Sequence, residues 1–342
     1  MSKKELLLSA SRIKKWEDCS WLYWCSYILK LPSRGNSGAA RGTACHLVFE
    51  MLLAKKRKKY VDEILSKNDI ASVPPIKRLV IRSLKRDGFY SEEDYDLCNK
   101  MILVGLKNDF FGKEDGGRVV NAEQKFVIEN EDPKYKIMGF MDKPVSYSKS
   151  KTIKIVDYKS SKNKFCNSEL DGNIQASTYV LAAKKLWPKM KKFLVEFLFL
   201  KHPKEPSQKV EPTEDGTSGF EHYLSHVYKL ISNFSEDDAK SNFAIEQPRA
   251  KEGFKGPLMC GFAKYPGHLK KDGDPMWHCE YKFAFDYYVL VNKDGETLKT
   301  SYEKKGLKKK KGEKIIKKHY DGCPAHTQHQ ESTTSTENPF DF

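Results

Sequence analysis

Hydrophobic and polar positions change their period twice along this chain, and the changes mark out its elements. LSASRIKKWEDCSWLYWCSYILKL opens with serines able to N-cap a helix and continues with apolar and aromatic residues at helical spacing. GNSG interrupts it. AARGTACHLVFEMLLAKKRKKY then predicts a second helix, whose basic C-terminal end suits the macrodipole. Residues 60 to about 115 predict further helices, broken at SVPP and closed by the loop FGKEDGG. There the period shortens to two. NAEQKFVIEN, KYKIMGFMDKPVSY and KTIKIVDYKS predict three strands, joined by EDP and SKSK. GNIQASTYVLAAKKLW returns to helix, and KFLVEFLFLKH predicts an apolar strand. The order helix, three strands, helix, strand predicts an α/β core.

Beyond it, PKEPSQKVEPTEDGTS at 203–218 predicts a flexible loop and FEHYLSHVYKLISNF an amphipathic helix. YKFAFDYYVLVN has strand character. EKKGLKKKKGEKIIKK reads either as a solvated face or as an arm that grips a polyanion, with the arm slightly favoured. The polar ending PAHTQHQESTTSTENPFDF predicts disorder. Its NPFDF weakly resembles tails that dock on partner proteins.

One strand breaks its own pattern. In TIKIVDYKSSK, residues 152–162, Ile153, Ile155, Asp157 and Lys159 share a face, and Val156 on the other face is also apolar. A strand buried on both sides thus ends in an acid and a base. A hairpin turn centred on Lys149 and Ser150 sets Asp142 opposite Asp157, with Cβ atoms ~5 Å apart, and like charges so placed destabilise a sheet. A hard cation such as Mg²⁺ between them offsets that cost. Lys159 reaches the same space, where it can contact a phosphate or a water. His46 and Glu50 lie four apart on one helix face, as do Gln175 and Tyr179.

Composition narrows the partners. The formal charge of +15 in 342 residues, with a pI near 9.2, points to a polyanion, nucleic acid before an anionic membrane surface. No apolar run approaches the ~20 residues of a membrane span. The three leucines near the start are too few for a signal peptide. Eight cysteines without such a signal predict a reducing compartment, and hence thiols or metal ligands; the expected location is cytoplasmic, in a bacterium or, for a phage protein, in its host.

Taken in order, Gly42 with His46, GFMDK at 139–143, DYK at 157–159 and QASTY at 175–179 resemble the PD-(D/E)XK nuclease superfamily. The likeness is greatest to its RecB-like branch, which includes the RecB and AddB nuclease domains and the CRISPR adaptation nucleases. SASRIKKWEDCSWLYW is similar to that branch's N-terminal helix, where a cysteine precedes an aromatic pair. The resemblance covers roughly residues 9–200 and implies a restriction-endonuclease-like core with a helical insertion and a C-terminal extension. The expected division is a nuclease core at 1–202 with the insertion at about 60–118, an extension at 203–300, and a basic arm with disordered tail at 301–342.

The resemblance also implies roles. His46, Asp142, Asp157 and the backbone carbonyl of Tyr158 would bind Mg²⁺ or Mn²⁺. Lys159 would orient the attacking water and stabilise charge on the phosphate. Gln175 and Tyr179 would hold the DNA backbone and the lysine in register. Lys143 departs from the arginine frequent after the aspartate, and Glu50 has no assigned role. Glu123 reads as a solvated strand residue, with an accessory acid as the alternative. In many RecB-like nucleases one N-terminal and three C-terminal cysteines hold an iron–sulfur cluster, which here implies Cys19, Cys260, Cys279 and Cys323. The close C-x₂-C spacing of such sites is absent, WHCEYKFAF looks like a degenerate remnant, and buried free thiols are the other reading.

The expectation is therefore a metal-dependent DNA exonuclease of replication, recombination or repair. The alternatives are a structure-specific or restriction-type endonuclease, or a DNA-binding module with a decayed nuclease fold. No G-x-x-x-x-G-K-[ST] loop occurs in the sequence, so a helicase would be a separate partner, as would a recombinase or single-strand-binding protein.

Overall fold

The strand Thr152–Lys159 lies at the centre of a five-stranded sheet in the computed structural model, which describes residues 6–54, 57–246, 259–273 and 275–326. The chain divides into two units, Met1–Ala10 with Gly35–Ile231, and Ser11–Arg34 with Ser232–Phe342.

In the first unit the strands are β1 (Arg118–Val119), β2 (Gln124–Glu131), β3 (Lys134–Met141), β4 (Lys143–Tyr147), β5 (Thr152–Lys159), β6 (Lys192–Phe199) and β7 (Ser207–Val210). The sheet order is β1-β4-β5-β6-β7, with β5–β6 parallel and its other pairs antiparallel. β2 and β3 form a separate ribbon, so the first expected strand does not join the central sheet. The expected second strand is really two. A bend at Asp142 divides it, sending one half to the ribbon and the other to the sheet.

β4 and β5 pair from Lys143↔Val156 to Tyr147↔Thr152, which leaves residues 148–151 for the turn, as the spacing required. One further step of that register sets Asp142 opposite Asp157. β5 is buried on both faces, as its composition demanded: Ile153 and Ile155 point one way, Val156 and Tyr158 the other.

Helix α1 (Ser37–Ala54) packs beneath this sheet through Val48 and Phe49, which share a core with Val156, Tyr158 and Leu198. Helices α2 (Lys58–Lys67), α3 (Pro74–Asp87) and α4 (Glu92–Lys107) extend that core, in the span where further helices were expected. Helix α5 (Ile174–Leu186) connects β5 to β6 and packs on β6 and the ribbon. The segment expected as a flexible loop at 203–218 instead contains β7 and the start of helix α6 (Glu214–Ser232). Gln208 secures it, its side chain accepting from Phe165 N and donating to Phe165 O, both at 3.0 Å.

The second unit holds a three-stranded antiparallel sheet of β8 (Phe285–Val291), β9 (Thr297–Ser301) and β10 (Lys314–Tyr320), in the order β10-β8-β9. Part of the lysine run expected as a free arm is therefore an edge strand. Ile316 and the lysines of this strand are exposed, and it is anchored at its end by Tyr320, which turns inward and accepts from Trp21 Nε1 at 2.8 Å. Of the tail expected to be disordered, 324–342, residues 324–326 are helical and half-buried, while 327–342, with the NPFDF motif, lie outside the described residues. No helix among the described residues is long and apolar enough to cross a membrane.

Candidate active site

Gly42 explains why His46 reaches the sheet at all. A Cβ at Gly42 would meet Ser160 Oγ at 2.8 Å, so glycine lets α1 come this close to the end of β5 without displacing the Ser160 hydroxyl. One turn further on, His46 Nε2 lies 3.0 Å from the Tyr158 carbonyl and Nδ1 lies 3.3 Å from Asp142 Oδ1. Both ring nitrogens thus face oxygens. Burial pulls the imidazole pKa down, but the bond and charge of Asp142, the charge of Asp157 and the Tyr158 carbonyl outweigh it, raising it to about 9.

The bend after β3 turns Asp142 into the same space, where its Oδ2 accepts from Tyr158 N at 2.8 Å. Burial and the neighbouring Asp157 charge push the Asp142 carboxyl above its usual range, against the pull of His46. Asp157, almost fully buried, is held from α5. Asn173 caps that helix by accepting from Ala176 N at 3.0 Å, which places Gln175 in the first turn and Tyr179 in the next. Tyr179 OH donates to Asp157 Oδ1 at 2.7 Å and Gln175 Nε2 donates to the same oxygen at 2.9 Å. Lys159 Nζ in turn donates to Gln175 Oε1 at 2.5 Å. One glutamine therefore fixes both the acid and the base.

The remaining oxygen, Asp157 Oδ2, lies 2.7 Å from Lys159 Nζ, yet it is buried and accepts no well-angled hydrogen bond. That buried oxygen is held by the Lys159 charge alone, and a metal cation would suit the same position. Its neighbours fit one too: a second carboxylate, a carbonyl and an imidazole make a donor set for a hard divalent ion. As the side chains stand, no three His, Cys, Asp or Glu among the described residues close around a common ion. Asp142 is engaged with His46 and Tyr158, and Asp157 with Gln175 and Tyr179, so ligation would require them to reorient.

Two residues here differ from their leading sequence reading or gain a place in the structure that it did not give them. Glu123, read as solvated strand, precedes β2 in a left-handed conformation with φ +51°, and its N–H donates to the Asp142 carbonyl at 3.0 Å. Its carboxyl is raised by partial burial, then by a bond to Glu50 and by the charges of Glu50 and Asp142. Glu50 and Glu123 thus meet beside the candidate ligands. Lys143 is a buried structural residue: its Nζ donates to the Asp109 carbonyl at 2.9 Å and lies 5.9 Å from the Tyr158 ring centre.

A family model of the PD-(D/E)XK nuclease superfamily matches residues 7–249. The chain belongs to this superfamily. Its fold agrees: a mixed sheet flanked by helices, with the restriction-endonuclease-like order of helix, strands, helix and strand. Among solved structures, the chain is similar to one named "Putative exonuclease" from Eubacterium rectale, at 12% identity, covering 74% of this chain and 90% of that one, with a TM-score of 0.44. No curated protein matches the chain in sequence.

In the second unit of this nuclease-family chain, Cys19, Cys260, Cys279 and Cys323 line one cavity of about 20 Å³. Burial first, and then the nearness of the other thiols, raises Cys260 to about 11 and Cys279 and Cys323 to about 12. The cavity has room for about one water, so a metal group there would require the thiols to lose protons and move apart.

Proposed function

We propose that this chain is a metal-dependent deoxyribonuclease of the RecB-like branch, acting as an exonuclease in DNA replication, recombination or repair. One observation carries the reading: His46, Asp142, Asp157, the Tyr158 carbonyl and Lys159 converge, with the buried Asp157 Oδ2 faced by Lys159 Nζ at 2.7 Å. His46, Asp142, Asp157 and Tyr158 O would hold Mg²⁺ or Mn²⁺, which supplies an activated water and offsets charge on the phosphate. Lys159 orients that water and stabilises the phosphate oxygens as charge develops there. Gln175 and Tyr179 hold Lys159 and Asp157 in place.

A polyanionic substrate is supported by the charge of +15 and by α3, whose exposed Arg78, Arg82 and Lys85 lie on one helical face without an intervening acid. Such a face grips phosphates without reading bases. Partners in keeping with this reading are a helicase, a recombinase or a single-strand-binding protein.

The same reading assigns Cys19, Cys260, Cys279 and Cys323 to an iron–sulfur cluster, supported by their shared cavity. Anaerobically purified protein would then be brown, contain iron and lose both on Cys19→Ala. Colourless, iron- and zinc-free protein leaves four thiols around one cavity. The nuclease itself is tested with end-labelled single- and double-stranded DNA and closed circles, in Mg²⁺, Mn²⁺ or chelator. The expected result is stepwise loss from ends, no cutting of circles, and silence in chelator. Cutting of circles would make it an endonuclease, and cleavage that persists in chelator would remove the metal.

A further inference from the structure

A small lobe of the second unit, residues 259–273 and 275–280, turns its aromatic rings outward. Phe262 is 44% exposed, Tyr265 56% and Trp277 56%, whereas Trp21, Tyr281, Tyr287 and Tyr320 of the same unit are buried. The rings are presented on a defined scaffold. Phe262 N donates to Trp277 O at 3.1 Å, Cys279 N to Cys260 O at 3.1 Å, and Met276 N to His268 O at 2.8 Å. Gly261, at φ +68°, is indispensable to it, since a Cβ there would lie 2.3 Å from Trp277 O. Tyr265 stacks on His268, with ring centres 4.8 Å apart and planes at 27°.

Isolated exposed apolar residues are ordinary; here three large exposed rings are carried by one short scaffold. Its chemistry selects the partner. Lys264 stands between Phe262 and Tyr265 in sequence, and Lys264 and Lys271 are exposed. Flat rings interleaved with cations suit a strand whose bases are unstacked and whose backbone is anionic. A duplex keeps its base faces covered, so it offers such rings nothing.

We infer that this lobe is a stacking platform for single-stranded nucleic acid, with Phe262, Tyr265 and Trp277 receiving bases and Lys264 and Lys271 the phosphates. The inference rests on the nuclease reading only for the presence of a nucleic-acid substrate. Binding at this platform is tolerant of sequence, because every base has a π face.

The test measures binding of the full-length chain, in chelator, to fluorescent oligothymidylate and to a duplex of equal length. Trp277→Ala and Phe262→Ala should each weaken single-strand binding about tenfold, leave duplex binding unchanged and keep the salt slope. Trp277→Tyr, which retains a ring, should restore binding and so excludes simple loss of fold. Lys264→Ala with Lys271→Ala should instead flatten the salt slope by roughly one to two. Unchanged single-strand affinity in Trp277→Ala beside a wild type that binds and cleaves DNA would overturn the platform alone and leave the surface to a protein partner. A wild type that neither binds nor cleaves nucleic acid would instead overturn the nuclease reading, and the platform with it.

Discussion

At the scale of single residues, the site is held by groups that answer to more than one neighbour. Gln175 donates to Asp157 and Tyr179 while accepting from Lys159, so no shorter side chain could replace it. Lys143 has the opposite character, a cation kept in the core for structure. Burial, offset in part by Asp109, lowers its pKa from 10.5 to about 8. A lysine depressed on folding costs stability where it must stay charged, and that cost disappears as the pH rises from the folded to the unfolded pKa. Wild type should therefore gain stability relative to Lys143→Met between about pH 8 and pH 10.5, by up to about 3 kcal/mol for the full shift. Urea melts of both proteins across that range would show it, and parallel curves would mean that Lys143 is not depressed. The residues of the site were legible because their types and chain order are specific. Glu123 was not, because its meeting with Glu50 depends on a left-handed backbone turn that no periodicity encodes.

At the scale of elements, the site is a matter of how closely α1 approaches the end of β5. Gly42→Ala should force the helix away from Ser160 and carry His46 off the Tyr158 carbonyl, lowering cleavage by about 10–100-fold, the range seen when a ligand's support is removed. Adding Ser160→Gly should recover much of that loss. If the double variant is as poor as the single one, the steric explanation fails. The β4–β5 register could be read from the sequence since a two-sided apolar strand and a short polar turn leave little freedom. The division of GFMDKPVSY at Asp142 could not: both halves are good strand, and the bend follows from joining a ribbon to a sheet. β7 was hidden for a related reason, since a short polar edge strand in a proline-flanked stretch has the composition of a loop.

At the scale of the whole molecule, membership of a nuclease superfamily and a charge of +15 agree with one another, and the proposed cation-bound centre is the part of the reading that they leave to experiment. The C-terminal third was the least legible part. Its short strands are interrupted by loops, and its lysine run conceals an edge strand behind a composition typical of solvent. Its cysteines were chosen by resemblance, and the shared cavity shows only that they meet. The central claim concerns β5, and single-turnover cleavage of end-labelled DNA at saturating Mg²⁺, run beside binding in chelator, tests it directly. Asp157→Ala should abolish cleavage while keeping DNA binding, and Lys159→Ala should cut about 10²-fold or more slowly with its cation dependence retained. Wild-type rates in Asp157→Ala would contradict the account, because the charges at the end of this buried strand would then serve no chemistry.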